Sequence, residues 1–86
     1  MTISFTVAAW DDYLYWQRTD KAVCKRINRL IRSLQRTPHE GEGKPERLKG
    51  DLSGHWSRRI TREHRLVYVI GEGSVEIPSC RFHYDE

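Results

Sequence analysis

The chain is poor in the residues that build covalent or metallic frameworks. Its 86 residues include two cysteines, Cys24 and Cys80, too few for a disulfide scaffold. Neither stands at metal-ligand spacing, so both read as free, buried thiols in a reducing compartment, and the cytoplasm is the expected location. No apolar run exceeds a few residues, and the opening Met1-Thr2-Ile3-Ser4-Phe5-Thr6-Val7 has no basic stretch. Neither a membrane span nor a secretory signal is expected. Internal repeats and low-complexity tracts are missing too. One further absence is local: residues 21–36 contain no acid, yet they carry Lys21, Lys25, Arg26, Arg29, Arg32 and Arg36.

What is present fits one small domain spanning residues 1–86. A chain of this length buries roughly 60% of the surface its unfolded form exposes. Three Trp, four Tyr and two Phe give the large burial per residue that such a core needs. The net charge is only +3, but it is unevenly laid out. Residues 44–65 add seven cations against three acids, while the flanks are acidic. A basic middle between acidic ends favours a polyanionic partner.

Alternation of Ile3, Phe5 and Val7 with Thr2, Ser4 and Thr6 predicts a first strand over residues 2–7. Trp10, Tyr13 and Leu14 recur at helical spacing between Ala8 and about Arg18. Thr19 or Asp20 can then cap a second helix. Its apolar stripe is Val23, Ile27, Leu30, Ile31 and Leu34, and Pro38 ends it near Thr37. A loop over residues 37–54 is long enough to require a function. Three strands follow, at about Trp56–Thr61, His64–Ile70 and Val75–Tyr84, with a hairpin turn at Gly71-Glu72-Gly73-Ser74. Pro78 cannot donate to a ladder and belongs at a bulge or an edge. The expected fold is α+β: two N-terminal helices on one face of an antiparallel sheet, in the order β-α-α-β-β-β.

Strand phase puts Val75, Ile77, Ser79, Arg81 and His83 on one face, and Arg65, Val67 and Val69 on a face of the neighbouring strand. A simple hairpin register brings Arg65 near Arg81 and His83, with Arg59 able to join from the preceding strand. Clustered cations disfavour their own charged forms unless an anion neutralises them, which points to phosphate. In the loop, Lys44-Pro45-Glu46-Arg47-Leu48-Lys49 sets one carboxylate among cations. Glu46 is expected to be ionised and able to accept a proton. These groups suit RNA cleavage without a metal. A base takes the 2′-hydroxyl proton, arginine stabilises the phosphoryl oxygens, and an acid protonates the departing 5′-oxygen. No residues have the spacing of a metal or cofactor site, and none is expected. His39, His55 and His64 read as structural or solvated.

Long, ordered stretches of the chain resemble the YoeB family of the RelE-like superfamily, toxins of bacterial type II toxin–antitoxin systems. They are Trp10-Asp11-Asp12-Tyr13-Leu14-Tyr15-Trp16, Gly43-Lys44-Pro45-Glu46, Leu48-Lys49, Leu52-Ser53-Gly54, Trp56-Ser57-Arg58-Arg59-Ile60, His64-Arg65-Leu66-Val67-Tyr68 and Cys80-Arg81-Phe82-His83-Tyr84. The resemblance implies a microbial-RNase-like fold and a metal-independent, ribosome-dependent endoribonuclease that cuts mRNA in the A site. Glu46 would be the general base and His83 the general acid. Arg65 would stabilise the transition state, Lys44, Lys49 and Arg59 would bind RNA, and Tyr84 would complete the pocket. The implied partners are ribosome-bound mRNA, with contacts to 16S ribosomal RNA, a YefM-like antitoxin and a second copy of the chain.

Two features depart from the family pattern: Asp85-Glu86 follow the closing tyrosine, and Pro78 stands where an ordinary strand residue is expected. Two alternatives stay open at this point. One is a non-catalytic RNA- or ribosome-binding module, and the other is a role chiefly in transcriptional autoregulation with an antitoxin.

Overall fold

The computed structural model describes residues 1–82. Strand β1 (Thr2–Phe5) leads through Thr6 into helix α1 (Val7–Thr19), and Asp20 separates α1 from α2 (Lys21–Arg36). A two-residue strand β2 (Glu46–Arg47), a 3-10 turn (Gly50–Leu52), β3 (His55–Arg59), β4 (Arg65–Gly71) and β5 (Ser74–Ser79) complete the order. Each helix starts on an oxygen that accepts otherwise unpaired backbone N–H groups. Thr6 Oγ1 takes the Ala9 N–H at 3.1 Å, and Asp20 Oδ1 takes those of Ala22 and Val23 at 3.1 and 3.2 Å. The negative Asp20 also suits the positive end of the α2 dipole. Val7 opens α1 instead of closing β1, and is 80% exposed.

The five strands form one sheet in the order β1-β5-β4-β3-β2. From β2 to β5 the neighbours run antiparallel, as expected, while β1 lies parallel to β5. The sheet is therefore mixed. Alternation reveals which residues of β1 face inward but not its direction, and no hairpin turn joins it to β5 to set one. Helices α1 and α2 cover one face, burying Val23, Ile27, Leu30 and Leu34 against Ile60, Leu66, Tyr68, Val75 and Ile77. Full burial of each aliphatic chain contributes about 1.5–3 kcal/mol.

The last strand departs from the simple reading at Pro78. Val67 pairs with Ser79 and Val69 with Glu76, so Ile77 and Pro78 together oppose Tyr68, a bulge of one extra residue. The proline sits where a ladder donor is dispensable, as its chemistry requires. The bulge also shifts the phase: Val75 and Ile77 face the helices, whereas Ser79 lies opposite Val67 on the other face. After Ser79 the strand ends, and Phe82 takes φ 65°. Arg81 consequently does not continue a stripe from Val75. Its guanidinium lies 3.5 Å from the centroid of the Tyr15 ring on α1, a cation–π contact.

Candidate active site

The sheet face turned away from the helices gathers the charged residues. Residues directly opposite in an antiparallel pair share a face. Glu46 pairs with Ser57, Arg59 with Arg65, and Ser57 with Val67. Glu46, Arg59 and Arg65 therefore project on one side, around Ser57, Val67 and Ser79, which are 6%, 1% and 7% exposed. Glu46 and Arg59 are exposed and Arg65 half-buried. Directly opposed side chains in such pairs start about 5 Å apart, so two guanidiniums share one end of the sheet. The Arg65 Nη1 donates to the carbonyls of Thr61, Arg62 and His64 at 3.0–3.1 Å. The β3–β4 turn thus fixes the side chain that the phosphate reading needs.

Glu46 is placed by a chain of contacts that starts in the core. Arg58 is fully buried between Trp56 and Ile60, and its five N–H donors are all used. Nε donates to the Tyr68 hydroxyl at 3.0 Å, and Nη1 to Ser33 Oγ at 2.8 Å and the Glu42 carbonyl at 3.1 Å. Nη2 donates to the carbonyls of Thr37 and Glu40 at 2.6 and 3.0 Å. The Tyr68 hydroxyl in turn donates to the Pro38 carbonyl at 2.8 Å. A guanidinium without a carboxylate partner is thus solvated by carbonyls at the negative end of α2, and it ties residues 37–42 to the sheet. Burial pushes the Tyr68 hydroxyl above its ordinary titration range, with Arg58 beside it acting in the opposite direction.

Gly43 completes the connection. Its carbonyl accepts the Arg59 N–H at 2.7 Å, and a Cβ there would meet Leu30 Cδ2 at 2.8 Å and Arg58 Cβ at 3.0 Å, at φ 83°. Only glycine lets the loop lie this close over β3. Lys44 follows with φ 51°, and then Glu46 enters the sheet beside Ser57. Lys44 and Lys49 are both exposed, and the Lys49 carbonyl accepts the Leu52 N–H at 3.2 Å in the 3-10 turn.

His83 and Tyr84 lie outside the described residues, as do Asp85 and Glu86. The chain leading to them is held at the Arg65 end of the sheet. The Arg65 N–H donates to the Phe82 carbonyl at 2.9 Å, and the Phe82 N–H donates to His64 Nδ1 at 2.7 Å. His64 therefore accepts through Nδ1 and packs edge-on against Trp16 at 4.8 Å. Upstream, Trp16 Nε1 donates to the Cys80 carbonyl at 2.8 Å, and the Cys80 N–H donates to Asp12 Oδ2 at 3.1 Å. Both cysteines are free and buried, and desolvation pushes the Cys80 thiol up to about 12. Among the described residues, no three of His, Cys, Asp and Glu lie close enough to hold a metal ion. No helix there is long and apolar enough to cross a membrane.

Sequence reasoning found the charged groups but passed over what orients them: Arg58, Tyr68, Gly43 and His64. A signal for Arg58 existed. Its period-2 phase with Trp56 and Ile60 puts a charge on the core side of β3.

This arrangement of β2, β3 and β4 around an acid and two arginines coincides with the match of residues 5–84 to the family model of the YoeB-like toxin of bacterial type II toxin-antitoxin systems. The chain belongs to that family. It is 58% identical over 84 residues to Toxin YoeB of Escherichia coli strain K12, covering 98% of this chain and all of the relative. Among solved structures, the YoeB/ParE toxin from Agrobacterium tumefaciens superposes with a TM-score of 0.94 at 56% identity, covering 98% of this chain and all of the other. The YoeB of Staphylococcus aureus, solved as a dimer, gives 0.91 at 47% identity, with 98% of each chain covered. That organism's protein has also been solved as a YoeB-YefM complex.

Proposed function

We propose that the chain is a ribosome-dependent endoribonuclease that cleaves mRNA in the A site and so stops translation. One observation carries this reading: Glu46, Arg59 and Arg65 share the face of the sheet turned away from the helices, and Phe82 is anchored to Arg65 beside them. In this reading Glu46 takes the ribose 2′-hydroxyl proton, and the oxygen attacks phosphorus to form a 2′,3′-cyclic phosphate. Arg65 stabilises the charge growing on the phosphoryl oxygens. His83 protonates the 5′-oxygen leaving group, and Tyr84 closes the pocket. Lys44, Lys49 and Arg59 hold the RNA backbone. No metal or cofactor takes part. A YefM-type antitoxin and a second copy of the chain are the protein partners, by analogy with the Staphylococcus aureus structures, and the cytoplasm is the site of action.

Primer extension on mRNA from programmed ribosomes tests the reading. New 3′ ends within the A-site codon are expected, and Glu46→Ala and His83→Ala should each slow their formation by about 10²–10⁴-fold. Ribosome binding without new ends would instead identify a non-catalytic module. Unchanged cleavage in both variants would remove the acid–base assignment.

A further inference from the structure

The turn that carries the chain out of β5 is strained and is held from both sides. Two residues beyond the Val67–Ser79 pair, a continued ladder would set Arg65 opposite Arg81. Instead Phe82 takes φ 65°, a left-handed conformation that is an outlier for a bulky side chain. Both of its backbone groups are paired. The carbonyl accepts the Arg65 N–H at 2.9 Å, and the N–H donates to His64 Nδ1 at 2.7 Å. Because Nδ1 accepts, the hydrogen of the ring sits on Nε2. The His64 ring is itself braced, edge-on against Trp16 of α1 at 4.8 Å and 5.7 Å from the Phe82 ring. Phe82 gains little from burial: it is 60% exposed, with the Arg81 guanidinium 4.6 Å from its ring centroid. Hydrophobic packing does not account for the strained turn, so the two hydrogen bonds are what hold it.

We propose that His64 is a positioning residue for the general acid: by accepting the Phe82 N–H it sets the backbone from which His83 reaches the departing 5′-oxygen. His83 is the next residue in the chain, so the dihedral angles at Phe82 decide where its backbone goes. Strain of this kind collects where a mechanism needs one side chain aimed. Two consecutive residues then divide the work. Arg65 offers its guanidinium to the phosphoryl oxygens while its N–H holds the Phe82 carbonyl, and His64 holds the Phe82 N–H. In the step concerned the bond between phosphorus and the 5′-oxygen breaks, its electron pair goes to that oxygen, and the proton of His83 follows it. His64 touches none of these atoms. Without its lone pair the turn can relax, and a misplacement of about 1 Å is enough to cost a rate factor on the order of 10². This role rests on the endoribonuclease reading and deepens it.

Single-turnover cleavage on programmed ribosomes tests it, with wild type, His64→Phe, His64→Asn and His83→Ala and two mRNAs. One mRNA is all-oxygen, and the other carries sulfur in place of the 5′-oxygen at the cleaved linkage. Sulfur leaves as a thiolate with little need of a proton, so the second mRNA bypasses the acid. On the oxygen mRNA His64→Phe, which keeps a ring against Trp16 but no acceptor, should be slower by about 10–100-fold. His64→Asn, whose Oδ1 can stand where Nδ1 stood, should recover most of that rate. On the sulfur mRNA His64→Phe and His83→Ala should both cleave close to the wild-type rate. The sulfur-to-oxygen rate ratio is taken within one sample, so partial unfolding of a variant lowers both rates and leaves the ratio unchanged. If sulfur restores His83→Ala but not His64→Phe, His64 serves the site at large, and the positioning role falls while the acid assignment stands. If sulfur fails to restore His83→Ala, the acid assignment falls and takes the positioning role with it. Full cleavage of the oxygen mRNA by His64→Phe would also overturn that role, as would a His64→Asn variant no faster than His64→Phe.

Discussion

The two faces of the sheet are built from the same strands and do opposite work. Along β3, Trp56, Arg58 and Ile60 turn toward the helices while Ser57 and Arg59 turn away. The covered face holds the fold together by apolar burial, and the other assembles charges that repel one another in the absence of an anion. Arg58 shows that the division is by environment and not by residue type. Two successive arginines meet entirely different surroundings: one is solvated by five protein acceptors, and the other is left for solvent or ligand. A charge on the core side stabilises when each donor is used, and a charge on the other side is available because few are.

Changes on the covered side should lower stability most. Leu30→Ala, at a fully buried position that also supports Gly43, is expected to cost about 2–5 kcal/mol, read from urea unfolding. Arg58→Met should cost about 2–3 kcal/mol by stranding the carbonyls of Thr37, Glu40 and Glu42. It should also expose residues 37–43 to protease before global unfolding. Wild-type protease resistance in that variant would break the claim that Arg58 anchors the loop. Gly43→Ala falls between the two faces. Its Cβ clash and positive φ predict a loss of about 1–3 kcal/mol, together with slower RNA cleavage because Glu46 is displaced. A stability loss with full cleavage would show that the glycine serves packing alone.

The smallest effect concerns Asp12. Desolvation raises its titration above the ordinary carboxylate range, although the Cys80 N–H and Arg81 favour the charged form. A folded-state value raised above the unfolded one means that the stabilising contribution is present at low pH and is lost as pH rises through the folded value. The stability of wild type relative to Asp12→Asn should therefore fall slightly from about pH 3 upward, in paired urea titrations. A rise over that window would show that the hydrogen bond from Cys80 outweighs burial.

Much of this was legible in the residues. The α2 stripe, both helix boundaries and the inward phase of β3 and β4 follow from periodicity and capping, which are local. The closeness of Arg59 and Arg65 was legible as well, since hairpin register follows from a short turn, whereas Glu46 was expected in a loop and stands in β2. The direction of β1 and the one-residue bulge at Pro78 were not. Both depend on pairing between distant segments, where no turn dictates register. The bulge put Ser79 on the face opposite to Val75 and Ile77, and Arg81 beyond it meets Tyr15. His64 read as incidental because the Phe82 N–H that it accepts lies 18 positions away.

By itself the sequence determined the apolar stripe of α2, where that helix begins, and that its cations would concentrate in the middle of the chain, because each depends on neighbours within a few positions. Only the tertiary structure decided which cations are buried and which lie beside the acid. Those outcomes require contacts between segments tens of residues apart, and a one-residue change of register moves a side chain from one face of a sheet to the other.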